Sequence, residues 1–150
     1  RASHSWTVVS GDVSTAQHAY VYGLVNGKTY QFQVSAHNSF GWGPWSNQAQ
    51  VKAGVPAQPG SPSTVAGDGQ VQLSWGAPES AGGAAINDYA VQYRLQGATT
   101  WTPVRDGQST ECHAYVLGLT NGETYEFRVA AKNAFGRGPW SDIVAEVPTA

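Results

Sequence analysis

Cys112 and His113 are neighbours, and a thiol beside an imidazole is the pair that could supply an activated nucleophile or two metal ligands. They open a predicted strand, however, and adjacent strand residues point to opposite faces, so the two side chains cannot easily act on one atom. The ten carboxylates, Asp12, Asp68, Glu79, Asp88, Asp106, Glu111, Glu123, Glu126, Asp142 and Glu146, are scattered without a pair suited to acid–base work. There is no glycine-rich phosphate loop ending in Lys-Ser or Lys-Thr, and no Gly-x-Ser-x-Gly nucleophile elbow. The expectation is a chain with no catalytic residue, no metal and no cofactor.

The aromatic residues carry more chemistry. Phe40, Trp42 and Trp45 crowd around Pro44, and Trp140 stands in a second Gly-Pro-Trp-Ser with Arg137 three residues before it. Aromatic side chains gathered on a loop tip can stack on sugar rings, anchor a protein contact, or pack against an adjoining domain. Phe40, Trp42, Trp45, Arg137 and Trp140 are therefore the candidate protein or sugar contacts. Arg128 could also stack on Trp140, a contact of roughly 0.5–1 kcal/mol when exposed. Gln33 stands where Arg128 does in the earlier copy of this pattern, so that stack is not general.

The elements that position these residues come as a repeat. Residues 1–46 align without a gap on residues 96–141 at a constant offset of 95, with 25 identities in 46 positions. Trp6/Trp101, His18/His113, Tyr20/Tyr115, Leu24/Leu119, Tyr30/Tyr125, Phe32/Phe127 and Asn38/Asn133 are among them. That period exceeds the roughly 20–50 residues of solenoids and matches one small domain. Residues 57–95 have no counterpart in the first copy. Alternation of period two predicts antiparallel strands near 61–66, 70–75, 87–95, 100–104, 113–117, 123–132 and 141–147, with the first copy supplying 5–9, 18–22, 28–37 and 46–53. Turn signals, Asn121-Gly122 and Asn26-Gly27 among them, separate the runs, so an all-β antiparallel sandwich is expected. Residues 1–54 read as the C-terminal half of a module, 55–62 as a proline-rich linker suited to a semi-rigid connector or an edge strand, and 61–150 as a complete module.

Composition narrows the class. The net charge is −2 and the eight basic residues are dispersed, which argues against nucleic acid as a partner. No apolar run approaches the roughly 20 residues of a membrane span, and no signal-peptide pattern opens the sequence. These features lead to the expectation of a soluble chain, either mature or cut from something longer. The single cysteine forbids an internal disulfide, and Gln17 at its repeat position shows that the module does not need a thiol there.

Trp75 closing the second strand, Tyr89 and Tyr93 on the third, Leu119 six residues before Tyr125, and Asn133 through Ser141 together resemble the fibronectin type III family; Leu24, Tyr30 and Asn38 through Ser46 repeat the second half of that set. The resemblance implies an immunoglobulin-like β-sandwich. Its core would be Trp75, Tyr89, Val91, Tyr93, Leu119, Tyr125, Phe127 and Val129, with Leu24, Tyr30 and Phe32 in the first copy. It also implies a tyrosine corner at Leu119 and Tyr125. Gly-Pro-Trp-Ser resembles half of the WSxWS motif of cytokine-receptor modules, with the second Trp-Ser missing. Phrases such as Gly118-Leu119-Thr120-Asn121-Gly122 look like the bacterial branch, and neither Arg-Gly-Asp nor an Asn-x-Ser/Thr acceptor occurs.

The function these readings imply is non-catalytic and extracellular: a spacer, an adhesive stalk, or a subunit of a surface filament or phage appendage. Its partners would be neighbouring modules of the same or adjacent chains, or a surface polysaccharide or protein ligand. The alternative is an accessory carbohydrate-binding or spacer module of a secreted polysaccharide-degrading enzyme. A half module would expose strand edges, so it reads either as a window on a longer array or as a unit completed by another chain.

Overall fold

Val71, Leu73 and Trp75 alternate with Gln72 and Ser74, and this alternation turns three large side chains to one side of a strand. In the computed structural model, which describes residues 5–9, 14–105 and 107–150, that side is the centre of a β-sandwich. The first copy contributes β1 (Thr29–Phe32), β2 (Ser35–Asn38), β3 (Gly41–Trp45) and β4 (Ala49–Lys52). The complete unit contributes β5 (Ser63–Gly67), β6 (Gln70–Ser74), β7 (Asp88–Leu95), β8 (Thr102–Pro103), β9 (His113–Val116), β10 (Tyr125–Asn133), β11 (Gly136–Arg137) and β12 (Val144–Glu146).

One sheet runs β5-β6-β9 and the other β11-β10-β7-β8, with β12 also paired to β10, all antiparallel. Registers such as Val129 opposite Val91 and Leu73 opposite Ala114 bring the apolar positions of neighbouring strands onto the same face. Val71, Leu73, Trp75, Tyr89, Val91, Ala114, Val116, Leu119, Tyr125, Phe127, Val129 and Ala131 form the buried cluster, with Tyr93 packed against it half-buried. Each large member contributes roughly 1.5–3 kcal/mol through burial. Trp75 meets Tyr89 edge-on, ring centroids 5.4 Å apart.

The first copy differs from expectation, for one physical reason. Residues 5–9 and 18–22 are not strands. Their counterparts β8 and β9 are held by β7 and β6, which lie in the segment the first copy lacks. The strand expected over 28–37 is broken in two: β1 pairs with β4, β2 pairs with β3, and the register shifts between Ser35 and His37. β10 runs nine residues unbroken because β7 supplies a continuous ladder on its other side. Leu24, Tyr30 and Phe32, expected in a core, are only half-buried, since no second sheet among the described residues closes over them. Val34 is 71% exposed where its counterpart Val129 is 0%.

One further expectation needs correction in the complete unit. The last strand, expected over 141–147, is regular only at 144–146. The proline-rich segment 55–62 is fastened to the unit that follows it: Pro56 is fully buried, Ala57 N–H donates to Ser80 O at 2.9 Å, and Gly60 N–H donates to Gly76 O at 3.0 Å.

Candidate functional site

The outward face of the β7–β10 sheet carries a stack of alternating rings and cations. Alternation puts Arg94 and Gln92 of β7 and Glu126 and Arg128 of β10 on this face, in registers that set Arg94 opposite Glu126 and Gln92 opposite Arg128. The Arg94 guanidinium lies 4.2 Å from the Trp101 ring centroid, and Arg128 lies 4.2 Å from Trp101 and 4.2 Å from Trp140. Arg137 closes the stack 4.5 Å from Trp140. Polar anchors hold the cations in place: Arg94 Nε donates to Glu126 Oε1 at 2.8 Å, and Arg128 donates through Nε and Nη2 to Gln92 Oε1 at 2.9 and 2.6 Å. Burial, with the like charges of Arg137 and Arg94 nearby, lowers the Arg128 pKa.

The Arg128–Trp140 contact is legible in the sequence, whereas Arg94 of β7 and Trp101, just before β8, join it only in the fold. The signal was the Trp6/Trp101 identity of the repeat, whose partner across the sheet only the register shows.

The first copy holds the same ring positions without the cations: Gln33 replaces Arg128 and Trp42 replaces Arg137. Trp45 is 60% exposed, Trp42 72% and Phe40 98%. Trp42 lies against His37 across the β2–β3 hairpin, centroids 4.4 Å apart. Ala36, His37, Asn38 and Phe40 through Gly43 line a shallow concavity there. The structure thus places Phe40, Trp42 and Trp45 on one exposed hairpin, and Arg137 and Trp140 in the stack of the complete unit.

Local devices recur in both copies. The Tyr125 hydroxyl accepts the Thr120 N–H at 3.0 Å, and the Tyr30 hydroxyl accepts the Val25 N–H at 3.0 Å. In the serine of each Gly-Pro-Trp-Ser, Oγ accepts a backbone N–H, from Val129 within β10 to Ser141 and from Val34 between β1 and β2 to Ser46, both at 2.9 Å. That side-chain oxygen completes the ladder beside a proline that has no N–H of its own. Asn133 Oδ1 accepts the Phe135 N–H, as Asn38 Oδ1 accepts that of Phe40, both at 2.9 Å. The serine and asparagine were legible only as repeated letters, because their partners depend on the turn geometry.

Cys112 and His113 are separated by the strand, as alternation requires. Cys112 Sγ contacts the Tyr89 hydroxyl at 3.6 Å, while exposed His113 meets Glu111 at 3.2 Å. Burial first, then the hydrogen bond and charge of the Cys112 sulfur, push the Tyr89 pKa up to about 12.

The fibronectin type III domain model matches residues 58–147. Myosin-binding protein C, cardiac-type, of Mus musculus is 28% identical over 152 residues, taking in 99% of this chain and 12% of that protein. Myomesin-2 of Homo sapiens is 30% identical over 145 residues, 92% of this chain and 10% of that protein. Among solved structures, domains A168–A170 of titin superpose with a TM-score of 0.62 at 29% identity, covering 85% of this chain and 44% of theirs. The chain spans about a tenth of the length of these two sequence relatives. With its two-sheet sandwich, its paired tyrosine corners and a domain match over most of its length, the chain belongs to the fibronectin type III family.

Proposed function

We propose that the chain is a structural stretch of a longer modular protein, the C-terminal half of one module followed by a complete one, working as a mechanical spacer. The observation that carries this reading is the repeat: one 46-residue pattern occurs twice in one chain, and the similar proteins are far longer than the part this chain matches. The outer stack of Arg94, Trp101, Arg128, Trp140 and Arg137 suits that work, since it ties three strands together on the solvent side. Pulling the whole chain between its ends tests the proposal. Residues 58–147 are expected to open in one discrete step that adds about 30 nm, at roughly 3.3–3.6 Å per extended residue. Gradual lengthening without a step would overturn it.

The setting we propose is extracellular, on the likeness of the Asn133–Gly136 and Gly118–Gly122 phrases to bacterial modules; recovery of the native protein only from the cytoplasm would reject that part. The exposure of Phe40 and Trp42 favours a second reading, an accessory module whose hairpin stacks on sugar rings. Retention of the intact chain on insoluble polysaccharide, lost in Trp42→Ala, is the result that reading requires.

A further inference from the structure

We infer that residues 54–57 form the fixed bearing of a joint between the two units, with Asn133 as its latch and Gly82, Gly83 and Gly138 as its seat. Asn133 is 5% exposed at the end of β10. Its Nδ2 donates to Gly54 O at 2.7 Å and to Ala81 O at 2.9 Å, so one amide binds the connecting segment and the loop before β7 together. Gly83 N–H donates to the same Gly54 O at 2.9 Å, and Ala57 N–H donates to Ser80 O at 2.9 Å. The seat has no room for side chains. A Cβ on Gly82 would collide with the carbonyls of Gly54 and Val55, and one on Gly138 with the carbonyl of Pro56. A Cβ on Gly83 would meet no backbone so closely but would push aside the Asn26 side chain, which belongs to the first unit's turn. The same turn brings Gly27 against Phe135 of the second unit.

The repeat supplies an internal control. Asn38 keeps the Phe40 bond but seats no connecting segment among the described residues, and a Cβ on Gly43 would rest 3.6 Å from Ala36 O, an ordinary contact. Gly138 and Gly43 are therefore the same letter under different constraint, and only the seat demands glycine. The joint is specific to how these two units meet, and it holds whether or not the chain bears force.

Amide hydrogen exchange on the full chain tests the joint. Gly138→Ala is expected to speed exchange of the Ala57 and Gly83 amides at least about tenfold, as expected when hydrogen-bonded groups lose their partners, while the Val91 and Val129 amides stay protected. Gly43→Ala is expected to change none of them. Wild-type exchange at Ala57 and Gly83 in Gly138→Ala would overturn the joint. Should Gly138→Ala expose the whole core, Gly83→Ala decides: its faster exchange at Ala57 must be reversed by adding Asn26→Gly. An effect of Gly83→Ala that is the same with and without Asn26 would show that the two units do not meet there.

Discussion

At the scale of single residues, the clearest case is Tyr125, whose phenol oxygen accepts the Thr120 N–H at 3.0 Å. Tyr125→Phe therefore leaves a backbone N–H without its acceptor, and we expect the complete unit to lose about 1 kcal/mol or more of stability, read as a lower denaturant midpoint. An unchanged midpoint would reject the corner as a stabilising feature. Tyr89 makes a pH prediction. Its pKa rises from 10.0 to about 12 in the folded chain, so the native state holds a proton that the unfolded state releases. Stability from this group is fully present below about pH 10 and is lost as pH climbs through about 12, on the order of 2 kcal/mol in all. Tyr89→Phe should flatten that part of the alkaline unfolding curve, and an identical slope in the variant would refute the assignment. The core landmarks Trp75, Val91, Phe127 and Val129 were legible because each advertises itself by type and alternation. Asn133 was not, since its value depends on carbonyls supplied from residues 54 and 81.

At the scale of elements, what the sequence displays is a strand's potential, and what it hides is the neighbour that realises it. Tyr125–Asn133 and Thr29–Asn38 carry almost the same pattern, yet only the former is one continuous strand, because only there does β7 pair along its length. The ring-and-cation stack follows the same rule. It assembles from residues of β7, β10 and the segments around β8 and β11, so no single window of sequence contains it. Arg128→Gln, which installs the first copy's residue, removes the cation shared by Trp101 and Trp140. The expected cost is about 1–2 kcal/mol, two cation–π contacts at roughly 0.5–1 kcal/mol each. Equilibrium unfolding followed by tryptophan fluorescence checks it, and a variant as stable as the parent would show the stack to be ornamental.

For the whole molecule, the repeat turns one chain into its own comparison. Val34 and Val129 occupy the same repeat position, with a serine oxygen bonding the N–H of each at 2.9 Å. They differ in what lies opposite: β5, β6 and β9 cover Val129, and nothing among the described residues covers Val34. If the sandwich is the source of stability and the hairpin merely carries its pattern, the same substitution must have unequal effects. Val129→Ala is expected to cost about 1.5–3 kcal/mol, the burial value of the side chain, and Val34→Ala less than about 0.5 kcal/mol, as for an exposed site. Chemical denaturation of the full chain reads both. Equal losses would mean that the first copy is closed over by a surface supplied from outside the described residues, and the balance of stability would then belong to the assembly. Unequal losses locate the folding energy in the second unit, leaving the first as two strand pairs with Tyr20, Tyr22, Val34 and Trp45 open to solvent.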